Sequence, residues 1–166
     1  MGQQETVAEP GTAAVDASHE IAIFRRAIAR HGQPVLAAGC SLPPLQVAGA
    51  DIDRCDVVAE LLGLTRKYRT IVMGESFGNA VHRERDLDAL TRCHALLEPR
   101  GALVLGVEVD YRPEDPSVIG TRCEVLLMLT IAGFRDITVL GDFTGEAATA
   151  RHGHLVFTAL GEASKV

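Results

Sequence analysis

The chain alternates between continuous apolar runs and segments whose apolar residues recur every three or four positions. Continuous runs such as TIVM at 70–73 are typical of strands covered on both faces, and the three-to-four spacing is typical of amphipathic helices. This order predicts an α/β domain with an at least partly parallel sheet. The predicted strands are 34–39, 47–52, 67–74, 102–109 and two more within 134–160; the predicted helices are 19–32, capped by Ser18, 54–64, 83–101 and 121–133.

The amino-terminal segment differs from the rest of the chain. Residues 1–17 contain neither a basic flank nor an apolar stretch, so they predict a disordered tail rather than a secretory signal. No apolar run reaches the roughly 20 residues that cross a bilayer. We therefore expect a single domain over residues 18–162, a cytoplasmic location and no membrane association.

The charge and the cysteine content of the chain limit the kinds of partner that we expect. The formal net charge is -6 and Lys and Arg do not cluster, which argues against a nucleic-acid interface because such interfaces neutralise phosphates. The four cysteines form no Cys-x-x-Cys pair and are interpreted as reduced thiols. We expect a small-molecule partner and no metal.

Three consecutive segments carry a resemblance to a known family. They read KYRTIVMGESFG, LDALTRCHALLEPRGALVLGVEV and LLMLTIAGFRDITVLGDFTGE. Together they resemble the last two thirds of class I S-adenosylmethionine-dependent methyltransferases. The resemblance implies a Rossmann-like sheet, mostly parallel with a C-terminal antiparallel hairpin. It also implies S-adenosylmethionine (SAM) as cofactor and methyl transfer without a metal.

The cofactor half departs from the family pattern. The family's first strand ends close to V-L-D-x-G-C-G-x-G, where glycines let the backbone approach the cofactor. This chain has VLAAGCSLP in that register, so Gly39 and Cys40 are the matching positions. Asp51 matches the acidic residue that ends the second strand and binds the ribose. Gly74, after the predicted central strand, completes the cofactor candidates, and the alternative is that Gly39 is a plain turn residue and Asp51 a solvated strand end.

The same region is short. Between the first two predicted strands the turn-rich SLPPLQ leaves no room for a crossover helix, because neighbouring parallel strands need about a dozen connecting residues. No convincing third strand precedes 67–74. The sequence therefore predicts a truncated fold that lacks one helix and one strand. A sheet edge exposed by the missing strand favours a homodimer.

Polar residues follow the predicted central strands. Glu75 and Phe77 are substrate-binding candidates, since a carboxylate binds an amine and a ring face covers a sulfonium or an apolar group. Glu108 and Tyr111, at the end of the next strand, are candidate acid or base groups for deprotonating a nucleophile. The alternatives are a polar loop with a packed phenylalanine and a set of solubilising strand-end residues.

Three functions remain open at this point. The first is a SAM-dependent methyltransferase that acts on a small molecule. The second is a degenerate methyltransferase-like protein that serves as a binding or interaction module without catalysis. The third, a nicotinamide dehydrogenase, has less support because fingerprint glycines and a Tyr-Lys or Cys-His arrangement are not apparent.

Overall fold

The computed structural model describes residues 12–38, 49–55, 58–74, 83–108, 121–141, 146–147 and 154–161. Its strands form one seven-stranded sheet in the order β2-β1-β3-β4-β7-β5-β6. The predicted α/β class is confirmed. The elements are α1 (Thr12–His31), β1 (Val35–Ala38), β2 (Ile52–Cys55), α2 (Val58–Leu61), β3 (Tyr68–Met73), α3 (Arg83–Leu96), β4 (Leu97–Glu108), α4 (Thr121–Ile131), β5 (Arg135–Gly141), β6 (Glu146–Ala147) and β7 (His154–Leu160).

The sheet has a parallel half and an antiparallel half. Strands β2, β1, β3 and β4 run parallel. Strand β7 inserts between β4 and β5 and is antiparallel to both. The mostly parallel sheet with a C-terminal antiparallel hairpin is therefore confirmed.

The two faces of the sheet pack against different helices. On one face, apolar side chains of β1, β3 and β4 contact α3 and α4 in a cluster that includes Leu36, Ile71, Leu90 and Leu103. On the other face, Phe24, Ala27 and Ile28 of α1 pack on alternate residues of the same strands. Because successive strand residues point to opposite faces, the buried runs of the sequence supply both cores.

Three elements in the first half differ in their bounds from the sequence prediction. Helix α2 is Val58–Leu61 rather than 54–64, because residues 52–55 form strand β2. Helix α1 begins at Thr12, six residues before the predicted cap Ser18, since the Ala-rich segment 12–17 extends the helix. Strand β2 is Ile52–Cys55 rather than 47–52. The connection from β1 to β2 therefore spans the thirteen residues 39–51, which meets the length that a parallel crossover needs. The prediction that only SLPPLQ was available for this connection was wrong.

Strand β4 begins earlier than expected. Helix α3 ends at Leu96 and the chain is extended from Leu97, whereas the sequence suggested a helix to residue 101. Pro99 lacks a backbone N–H and clashes with the preceding helical turn, so the helix cannot continue through it. None of the described helices is long and apolar enough to cross a membrane.

Candidate functional site

The order of the parallel strands creates a crevice at one edge of the sheet. The chain passes from β1 outward to β2 and then returns to the other side of β1 to form β3. In open α/β sheets, ligands bind outside the carboxyl ends of the strands where the strand order reverses in this way. The carboxyl ends of β1 and β3 therefore form the candidate site.

The ends of these strands are close together. Ala38 is in register with Cys55 on one side and with Met73 on the other. Beyond Met73, the Gly74 N–H donates a hydrogen bond of 3.4 Å to the Ala38 carbonyl. The last residues of β1, β2 and β3 therefore lie side by side, and Gly74 is buried at the mouth of the crevice.

The predicted site residues divide between this edge and the undescribed segments. Gly74 lies at the edge, and the backbone of Glu108 ends β4 opposite His154 of β7 at the same edge. Both residues lie at strand ends, as the sequence predicted, and their role in a site stays a prediction. The remaining candidates follow described strands in the chain but lie outside the described residues: Gly39, Cys40, Glu75, Phe77 and Tyr111.

Asp51 lies at the amino ends of the parallel strands, whereas Gly74 lies at their carboxyl ends. Asp51 precedes β2, and its carbonyl accepts a 2.9 Å hydrogen bond from the N–H of Val35, the first residue of β1. The expectation that Asp51 ends the second strand was wrong, because the strand begins after it. The structure does not bring Asp51 together with Gly74.

Asp51 belongs to an ionic cluster at this amino edge. Arg66 donates hydrogen bonds to both carboxylate oxygens of Asp51 and, at 3.1 Å, to Oδ2 of Asp53. The Arg66 hydrogen bond lowers the pKa of Asp51. Tyr68 donates a 2.7 Å hydrogen bond to the same Asp53 oxygen, and burial together with this bond raises the pKa of Tyr68 to about 12. These partners indicate that the cluster joins β2 to the segment before β3 rather than binding a ligand.

The structure points to a different acidic residue, one that the sequence prediction missed. In the chain, Asp56 directly follows Cys55, the last residue of β2. Asp56 is thus the acidic residue that comes next in sequence after the observed second strand. Its spacing from Gly39 is seventeen residues, closer than that of Asp51 to the roughly 20 of the dinucleotide fingerprint. This spacing was the available signal, and Asp56 itself lies outside the described residues.

At the described strand ends, the side chains of Ala38 and Met73 are 3% and 2% exposed and carry no charge. Among the described residues, no group of three or more His, Cys, Asp or Glu side chains could hold a metal ion.

Comparisons with known proteins bear on the fold. No family model matches the chain, and the comparison with curated proteins gives no match. Solved structures do match over most of the chain. The CcbJ methyltransferase from Streptomyces caelestis is 14% identical with a TM-score of 0.64, and the match covers 95% of this chain and 100% of that one.

Two further structures extend this likeness. A SAM-dependent methyltransferase from Clostridium acetobutylicum ATCC 824 is 7% identical, with a TM-score of 0.63 and coverage of 91% of this chain and 94% of that one. The magnesium protoporphyrin IX methyltransferase from Synechocystis PCC 6803, solved with bound SAM, is 18% identical, with a TM-score of 0.60 and coverage of 90% and 82%. The chain has the Rossmann-like fold of class I SAM-dependent methyltransferases.

Proposed function

We propose that the protein is a SAM-dependent methyltransferase that acts on a small molecule. The observation that carries this proposal is the crevice where β1 and β3 end side by side, with Gly74 bonded to Ala38, at the point where the strand order reverses. The neighbours of this fold include methyltransferases, one of them solved with SAM bound. Because fold likeness alone does not establish activity, the proposal depends on whether the crevice binds SAM.

The proposed cofactor residues follow the ends of the first three strands in the chain. Gly39, Cys40 and Gly74 would let the backbone approach the cofactor, and Asp56 would accept hydrogen bonds from the ribose hydroxyls. Asp51 is replaced in this role by Asp56 because it lies at the other edge. Glu75 and Phe77 would contact the substrate near the sulfonium.

The chemistry needs few protein groups. Bound SAM supplies an electrophilic methyl group, which leaves its sulfur for a nucleophilic atom of the substrate while the S–C bonding electrons remain on the sulfur as a thioether. Glu108, at the carboxyl end of β4, would accept the proton of the nucleophile, and Tyr111 would orient that atom. Most of the rate enhancement would come from alignment of the two reactants.

Calorimetric titration with SAM and with S-adenosylhomocysteine tests the proposal. We expect saturable binding of both ligands to the purified protein. Asp56→Asn should weaken binding of both at least tenfold, because a carboxylate that accepts hydroxyl hydrogen bonds in a sheltered crevice contributes about 1.5–3 kcal/mol.

Asp51→Asn is the matched control for this titration. It removes the same charge from the opposite edge of the sheet, so cofactor binding should remain unchanged. Circular dichroism should show that both variants are folded. Absence of binding by the folded wild-type protein at millimolar ligand would reject the proposal in favour of a degenerate, non-catalytic binding module.

A further inference from the structure

A groove separate from the candidate cofactor crevice runs between α1 and the antiparallel half of the sheet. One face of α1, including Ile23, Arg26, Ala27 and Arg30, forms one wall. These positions share a helix face because they are three or four residues apart. The cavity has a volume of about 420 Å³, within the range of small-molecule sites.

The floor of this groove is apolar. It is formed by Val104 of β4, Val156 of β7 and Leu140 of β5, which lie on neighbouring strands. Val104 and Val156 belong to the cluster beneath α1, and Leu140 packs against its border. In the described part of the chain, α1 is the helix that packs on this face, mainly over β3 and β4. Because Val104 and Val156 are each 1% exposed, the accessible apolar surface of the groove comes from the partly buried residues Ile23, Leu140 and Leu160.

The charged side chains that line the groove include more cations than anions. Arg26 and Arg30 are exposed on the α1 wall, and Asp136 lies at the start of β5. Asp136 has a φ of 50° at a register shift in the pairing of β5 with β7. Burial and the neighbouring Arg30 lower the pKa of His31, so its imidazole is neutral at pH 7. Among the described residues that line the groove, Arg26 and Arg30 are cationic and Asp136 is anionic, a balance of one positive charge.

We propose that this groove binds an amphiphilic carboxylate, a ligand with an aliphatic chain of medium length and one carboxylate head. The chain would lie against Ile23, Leu140 and Leu160, and the head would pair with Arg26 and Arg30. Arg guanidinium groups suit this role because their planar fork matches a carboxylate. Asp136 would repel the head and so direct it toward the helix wall. Neither Ala38, Met73 nor Gly74 lines the groove, so this site is independent of the proposed methyltransferase crevice.

Titration calorimetry with octanoate tests this site without any cofactor. Octanoate should bind more tightly than octan-1-ol or octylamine, which have the same chain with a neutral or cationic head. Hexanoate should bind more weakly, by up to about fourfold for each methylene removed, because each buried methylene contributes about 0.8 kcal/mol. Equal binding of the three eight-carbon ligands would overturn the proposed recognition of a carboxylate.

Variants that change the charge of the groove should change octanoate affinity in opposite directions. A nonspecific apolar surface would not give this result. Arg26→Gln should weaken octanoate binding about two- to fivefold, as expected for an exposed ion pair. Asp136→Asn should strengthen it by a similar factor, and asparagine tolerates the positive φ of this position. Arg122→Gln, on α4 across the sheet, is the control and should have no effect. Equal effects of the Arg26 and Arg122 variants would contradict the proposal.

A filling variant tests the location of the ligand. Thr138 lines the groove on β5 and is exposed, so Thr138→Phe can occupy the cavity without a change in the buried core. Octanoate binding should fall at least tenfold, while SAM binding is retained. If octanoate still binds Thr138→Phe with wild-type affinity, the ligand lies elsewhere. If instead the wild-type protein does not bind octanoate and dimerises until Thr138 is replaced, the groove is an interface between two copies.

Discussion

Near the start of β4, where its pairing with β3 shifts register, two adjacent residues have different backbone requirements. Arg100 has a φ of 64°, a left-handed conformation that favours glycine. Gly101 does not have a positive φ, but its surroundings leave no space for a side chain. An added Cβ would lie 2.9 Å from the Glu98 carbonyl oxygen and 3.0 Å from the Arg69 carbonyl oxygen. In the family that the chain resembles, the turn reads L-x-P-G-G, so Arg100 occupies a position at which glycine would relieve strain.

Substitutions in this turn should change stability in opposite directions. Arg100→Gly should raise the free energy of unfolding by up to about 1 kcal/mol, because it removes the cost of a left-handed residue that has a Cβ. Gly101→Ala should lower it by about 1–3 kcal/mol, because backbone atoms must move to accept the methyl group. Urea denaturation followed by circular dichroism measures both changes.

The control for this pair is Arg100→Lys, which keeps the Cβ and the charge and should be close to neutral. If Arg100→Gly were instead less stable than Arg100→Lys, contacts of the arginine side chain would outweigh backbone strain. The sequence alone identified the turn through Pro99 and Gly101. It did not reveal the conformation of Arg100, because φ at that position depends on how β4 pairs with β3.

At the scale of elements, α1 covers one face of the parallel half of the sheet. Phe24, Ala27 and Ile28 are each at most 9% exposed, whereas Leu127 and Ile131 of α4 are about 60% exposed. The sequence predicted Phe24 and Ile28 as part of the inward stripe of an amphipathic helix. It did not predict the outward apolar residues of α4, because periodicity shows that a face is apolar but not how much of that face the sheet covers.

Matched isoleucine substitutions on the two helices test this difference. Ile28→Ala should lower the free energy of unfolding by about 2–5 kcal/mol, because it removes a buried side chain and leaves a cavity. Ile131→Ala makes the same chemical change at a site that is 61% exposed, and should cost less than about 0.5 kcal/mol. Thermal and urea denaturation of the two variants measure the costs, and similar losses would contradict the assignment of α1 to the core.

At the scale of the whole molecule, β2 is an edge strand of the described sheet. The Val35 N–H bonds the Asp51 carbonyl, and in a parallel ladder alternate residues of a strand bond to the same neighbour. The N–H of Arg54 therefore points away from β1, to the side on which no other described strand lies. We propose that a second chain pairs with this side of β2 to form a homodimer, because an uncovered strand edge favours such pairing.

Light scattering coupled to size-exclusion chromatography measures the mass of this assembly. We expect a dimer for the wild-type chain and a monomer for Arg54→Pro, since proline removes the outward donor without breaking the bonds to β1. Arg54→Gln removes the same charge but keeps the N–H, so it should remain a dimer. A wild-type monomer at high concentration would contradict pairing through β2.

The sequence by itself determined the order of elements, the α/β class and the apolar strands at the centre of the sheet. These features follow from local patterns, since each residue's tendency to lie in a helix or strand is set mainly by neighbours a few positions away. The positions of Gly74 and Glu108 at strand ends followed from the same patterns.

Only the tertiary structure decided which edge of the sheet each residue occupies. The start of β2 at Ile52 placed Asp51 at the amino ends of the parallel strands, beside Arg66. The groove lined by both Arg26 and Asp136 also depends on tertiary structure, because these residues are far apart in the chain and belong to elements that only the folded sheet brings together. Strand register and strand order arise from contacts between distant segments, and a one-residue shift of register moves every side chain of a strand to the opposite face.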